Sequence, residues 1–278
     1  MPRFLWIAIV MAIAGCGVEP VNPSFPVSIA GAKEILTEDA AHPVPLKRPL
    51  LIVGGFMDPG VAPLVLCSQY RAWTGDPRII GVQLGWVSSF DQCRRDIISA
   101  VDRAFPCDEP GVTTEVDVIG VSMGGLAARY AAAEETSAGV RPARRLRIGR
   151  LFTISSPHRG ALLADDIPIN LHPVQADMRE NSPMIHWLNT RPIDPAEVYP
   201  IYCYTRLNDL YVGTRNAAPP GETAWWVAPP PLVTPHGGAF RDARILADIA
   251  ARLRGEPPLT HEPPSPIPTD AEAKTCTR

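Results

Sequence analysis

The chain has 278 residues, 46% of them hydrophobic and 20% charged, with a formal net charge of −3. That apolar share supports a substantial core and excludes an intrinsically disordered chain, while the slight acidity gives no electrostatic case for nucleic acid as a partner. The 32 prolines are bunched, which suits long ordered loops better than a helical bundle.

The opening segment, MPRFLWIAIVMAIAGCGVEP, has the build of an export signal: Arg3, an apolar stretch from Phe4 to Ala14, then small residues. It is too short to span a bilayer comfortably. Ile13-Ala14-Gly15-Cys16 resembles the lipobox of bacterial lipoproteins. That resemblance implies a signal peptide over 1–15, a lipid on Cys16 and a membrane-anchored protein facing the periplasm or cell surface. An ordinary cleaved signal, giving a secreted protein, is the alternative. Residue 17 is glycine, so the aspartate that retains some lipoproteins at the inner membrane is absent.

On this reading 16–45 is a lipidated N-terminus and tether, 46–256 a folded domain, and 257–278 a mobile proline-rich tail. Export permits disulfides, but Cys67, Cys93, Cys107, Cys203 and Cys276 are odd in number and their spacing fixes no pairing. Cys203, inside an apolar run, is expected as a free buried thiol.

Within the domain, apolar runs alternate with helical patterns. Arg48–Gly54, Arg78–Leu84, Glu115–Val121, Arg150–Ile154 and Tyr199–Tyr204 read as buried strands. Phe90, Ile97, Val101 and Phe105 mark one helix, with Ser88 as its expected N-cap. Ile245, Leu246, Ile249 and Leu253 mark the last one, closed by Gly255. The alternation predicts an α/β fold: a mostly parallel sheet with helices on both faces. Residues 159–197 interrupt it and are expected to form a small cap over the site. The basic cluster VRPARRLRIGR is expected to solvate a helix–strand connection.

The segment DVIGVSMGGLAARYAAA places Ser122 between an apolar strand and an alanine-rich helix, boxed by Gly120 and Gly124. A hydroxyl becomes a usable nucleophile when a sharp turn lifts it clear and a base takes its proton. Glycines two before and two after the serine remove the side chains that would collide in such a turn. The helix that follows aims its free N–H groups and positive dipole end at the site. Ser122 is therefore the candidate nucleophile. In this fold the acid and the histidine follow it in that order. Asp209 ends a strand at the sheet's carboxyl edge, and His236 lies in a loop before the last helix. The N–H of Met123 is the first oxyanion donor. The loop Gly54-Gly55-Phe56-Met57 after the first strand offers the second, assigned to Phe56.

With these residues in place, the chain resembles bacterial lipases and esterases of the α/β-hydrolase family from about residue 46 to 254. The carriers are GVSMGG at Ser122, TISSPHRG at Thr153–Gly160, VQADMRENSPMIHWLN at Val174–Asn189, NDLYV at Asn208–Val212 and PHGGAF at His236. One departure is Gly54-Gly55 where such lipases carry His-Gly. The resemblance implies hydrolysis of lipids or small acyl esters through a Ser122–His236–Asp209 triad, without metal or cofactor. Trp187 and Leu188 are candidates for an acyl pocket or for ordinary core. Acyl transfer, thioester hydrolysis and a non-catalytic surface-anchored protein remain open alternatives.

Overall fold

A computed structural model describes residues 20–166, 172–193 and 195–269. The signal segment, Cys16 and Cys276 lie outside the described residues. Among the described residues six strands, β1 (Leu50–Val53), β2 (Ile79–Val82), β3 (Val116–Val121), β4 (Ile148–Ile154), β5 (Ile201–Arg206) and β6 (Trp225–Val227), pair in the order β2-β1-β3-β4-β5-β6. Every pairing is parallel, so each connection must cross over the sheet; helices make the crossovers as far as β5, and a 3-10 turn at Thr214–Ala217 lies between β5 and β6. In chain order the helices of the described residues are α1 (Ile29–Ala41), α2 (Val61–Thr74), α3 (Phe90–Ala104), α4 (Met123–Ala132), α5 (Leu162–Asp166), α6 (Pro173–Asp177), α7 (Pro183–Thr190), α8 (Pro235–Ala239) and α9 (Ala243–Arg254), of which α1 precedes the sheet and α8 and α9 follow it.

Side chains alternate across the sheet. Leu51, Val53, Val116 and Val118 join the core under α3 and α4, whereas Leu50, Ile52, Ile119 and Val121 join the one under α1, α2 and α9. Burial on both faces is what makes these strands read as continuous apolar runs. The five expected strands and both expected helices form. Ser89, one residue later than expected, caps α3 by accepting from the Gln92 N–H, while Ser88 bonds the Gln92 side chain. Gly255 ends α9 in the left-handed region with φ 78°, a conformation that suits glycine.

Both ends of the domain differ from expectation. The proposed tether is largely structured: α1 buries Ala32 and Leu36 in the core it shares with α9, and Ser28 caps it. Ahead of it, the Asn22 side chain donates to Trp226 O at 2.7 Å and Phe25 packs on Tyr204. The tail is docked as far as it is described. Leu259 and Thr260 donate backbone N–H groups to the buried Asp248, and His261 N–H donates to Ser24 O. The indoles of Trp225 and Trp226 donate to carbonyls of His261 and Ser265. The cause is β6, the outer strand on that side: residues 22–25 and 260–266 lie against it, the first donating to its Trp226 carbonyl and the second accepting from its buried indole N–H groups.

The basic cluster is neutralised in place, with Arg141 on Glu135, Arg144 on Asp102 and Arg147 on Glu109. Cys67, Cys93, Cys107 and Cys203 are free thiols, and burial pushes the Cys203 thiol up to about 11. Among the described residues no helix is long and apolar enough to cross a membrane.

Candidate active site

Ser122 occupies the turn from β3 into α4 with φ 52° and ψ −126°. A Cβ at Gly120 would stand 2.5 Å from the backbone of Gly125, and one at Gly124 would press into the carbonyl of Val53. Neither backbone can yield, so the turn requires glycine at both places. Four of the five described non-glycine residues with positive φ are Met57, Ser122, Ser155 and Asn208. They follow β1, β3, β4 and β5, so backbone strain gathers along the carboxyl edge of the sheet.

The first turn of α8 carries His236 to this edge. Its Nε2 lies 3.2 Å from Ser122 Oγ and its Nδ1 2.9 Å from Asp209 Oδ2. Asp209, in the turn after β5, is fully buried as a side chain, while His236 keeps 18% of its surface. The other carboxylate oxygen accepts the N–H groups of Tyr211 and Val212 at 3.0 and 3.1 Å. With the carboxylate accepting from Nδ1–H, Nε2 is left to accept the serine proton. The Tyr211 ring lies flat over the imidazole, centroids 5.1 Å apart and planes 12° from parallel. The structure thus brings Ser122, Asp209 and His236 into one hydrogen-bonded chain.

Met123 is the first residue of α4 and is buried behind the serine. Gly55 backs onto Ser122 so closely that a Cβ there would be 3.0 Å from the serine Cβ, and Phe56 lines the cavity above it. A Cβ at Gly54 would stand 2.9 Å from Pro63 Cγ and 3.1 Å from Asp58 Oδ2.

A cavity of about 280 Å³ opens over Ser122 and His236. The 159–197 segment contributes Ala161, Ala164, Gln175 and Met178 to its walls, and the turn after Asp209 contributes Tyr211 and Val212. Trp187 and Leu188 are not among the lining residues. Leu188 is buried in the core, and Trp187 packs edge-on against Tyr130. Helical spacing alone gave no sign of which way α7 faces.

His158 belongs to a structural lock. Buried, it contacts Arg129 Nη1 at 3.1 Å and Thr153 Oγ1 at 3.1 Å, and burial together with Arg129 and Arg159 holds its pKa well below the usual histidine value. Arg129 also donates to Leu188 O and Asn189 Oδ1, while Asn189 donates to His158 O. The lock fastens α7 to the helix that follows the serine.

Tyr211, Gln175 and Met178 were missed as site residues. The NDLYV segment was a usable signal for Tyr211, since the chain that turns at Asp209 must bring its next residues back past the histidine. Asp242 is the N-cap of α9 and binds Arg206 and Arg244.

This parallel sheet, with its strained serine turn between β3 and α4, defines an α/β-hydrolase fold. Among solved structures the chain is similar to a Bacillus licheniformis lipase, BlEst2, in its mature form: 13% identity over 79% of this chain and 95% of that one, TM-score 0.50. The propeptide form of that lipase gives 12% identity over 82% of this chain and 53% of that one, TM-score 0.51. A metagenomic carboxyl esterase, MGS0156, gives 10% identity over 77% and 76%, TM-score 0.46. No protein-family model and no curated protein matches the chain. At such identities the likeness establishes the fold alone.

Proposed function

We propose that the chain is a serine carboxylic-ester hydrolase. The observation that carries the reading is the chain of hydrogen bonds from Asp209 through His236 to Ser122 at the base of a mostly apolar cavity. In this mechanism His236 Nε2 takes the hydroxyl proton as Ser122 Oγ bonds to the ester carbonyl carbon. Asp209 holds the tautomer and stabilises the imidazolium. Negative charge on the carbonyl oxygen is met by the N–H groups of Met123 and Phe56, a pair placed at the start of α4 and beside Gly55. The C–O bond to the alcohol breaks, the alcohol leaves with the proton from His236, and water repeats the sequence to release the acid. Tyr211, stacked on the imidazole, keeps the ring in plane with both partners.

An active-serine phosphonate probe tests the reading. One equivalent is expected on the peptide containing Ser122, with hydrolysis of p-nitrophenyl butanoate lost in step. A folded protein that neither labels nor hydrolyses any ester would remove it.

The proposal includes export and lipidation at Cys16, supported by Arg3, the apolar Phe4–Ala14 run and the Ile13-Ala14-Gly15-Cys16 sequence. Mass analysis is expected to find an acylated N-terminal peptide beginning at Cys16. A peptide cut elsewhere, or an uncut leader, would contradict this.

A further inference from the structure

The cavity over Ser122 is small, and its described walls are tied down. At about 280 Å³ it falls just under the usual range for small-molecule sites, roughly 300–1,000 Å³.

The wall formed by 161–164 is bonded on two sides. Ala161 N–H donates to Met178 O at 2.8 Å and Arg179 Nε to Ala164 O at 3.0 Å, which joins it to the end of α6. Leu162 and Leu163 donate to Val212 O and Tyr211 O at 3.4 and 3.0 Å, which joins it to the turn that holds Asp209. Gly160, at φ 102°, lies against the backbone of Glu180 with no room for a side chain. Swinging this wall outward would break four hydrogen bonds and disturb the carboxylate's own turn. The floor and sides are the buried Ala161, Ala164, Met178 and Val212, with the buried Gln175 adding a polar group that a long alkyl chain would leave unsatisfied. At the mouth stand the half-exposed Met57, Leu163 and Tyr211.

We infer that this cavity is a fixed acyl pocket that selects short and medium acyl chains and leaves the alcohol side of the ester at the mouth. The inference rests on the reading of Ser122 as nucleophile. It assigns chain-length control to Met178 and Ala164, which face the space the acyl tail fills.

The test is kcat/KM for p-nitrophenyl acetate, butanoate, hexanoate, octanoate, laurate and palmitate, with the parent, Met178→Ala and Ala164→Leu, each first counted by phosphonate labelling. The parent is expected to peak between butanoate and octanoate and to fall at least tenfold by palmitate. Met178→Ala moves the peak to longer chains and Ala164→Leu moves it to acetate. A parent peak at laurate or palmitate overturns the pocket while leaving the hydrolase reading intact. So does an unchanged peak in both variants when they label fully. If the variants fail to label, the parent's profile alone decides. A parent that neither labels nor cleaves any ester rejects the hydrolase reading, and the pocket with it.

Discussion

Ser122→Ala is expected to hydrolyse p-nitrophenyl butanoate at least about 10⁴-fold more slowly than the parent while folding as well as the parent does. The loss is this large because the reaction then has no oxygen to attack the ester. His236→Ala should fall to a similar floor, since Ser122 Oγ donates its only proton toward His236 Nε2, 3.2 Å away. The double variant Ser122→Ala/His236→Ala should be no slower than either single one. Residues that act as one unit lose their effect together, so multiplied losses would mean that the two groups work separately. The comparison is made on initial rates after matching thermal unfolding midpoints. A Ser122→Ala protein that retains a tenth of the parent rate would end the assignment.

Asp242→Asn is expected to lower the unfolding free energy by about 3–5 kcal/mol, the usual loss on breaking a buried ion pair. Asp242 accepts from Arg206 and Arg244 within 2.9 Å, and all three side chains are buried. Among the described residues Arg206 Nη1 already lacks a partner, and an asparagine amide would turn donors toward two guanidinium groups. Burial by itself would raise the Asp242 carboxyl. The hydrogen bonds and charge of Arg244, then Arg206, overcome it and hold the group below its ordinary value near 3.8.

A carboxyl held lower in the folded state contributes stability that is present above the ordinary value and is lost as pH falls through the folded one. The gap between parent and variant should therefore be full at neutral pH and close in acid below about 3.8. Urea unfolding at stepped pH measures it, and a variant as stable as the parent at neutral pH would refute the prediction. The consequence reaches the site, because a Cβ at Gly238 would collide with Arg206, so this arginine underlies the helix that carries His236.

The serine turn was legible in the sequence because its requirement is steric and local: no residue but glycine fits at 120 and 124. Asp209 and His236 were legible through chain order, since a parallel sheet delivers successive strand ends to one edge. Other features leave no periodic trace. β6 is three residues long, too short for an apolar run to stand out. α1 meets the core through Ala32 and Leu36 with Ile35 packed beside them, a short stripe whose partner α9 lies some 200 positions away. The tail docks through indole N–H groups and backbone carbonyls, which its proline-rich composition does not reveal. The cap wall likewise depends on main-chain hydrogen bonds whose partners are set by the tertiary fold.

The docking of residues 22–41 sets the length of any leash. Only five residues, 17–21, separate Cys16 from Asn22, whose side chain is bonded to Trp226 O. Six steps of at most about 3.6 Å each reach roughly 22 Å, less than the roughly 30 Å hydrocarbon core of a bilayer. A lipid on Cys16 would then keep the body against the membrane surface, with almost no radius to sweep. Esters residing in that same leaflet would be searched for in two dimensions, at the crowding of the lipids themselves, whereas a dissolved ester would be met no more often than by a free enzyme.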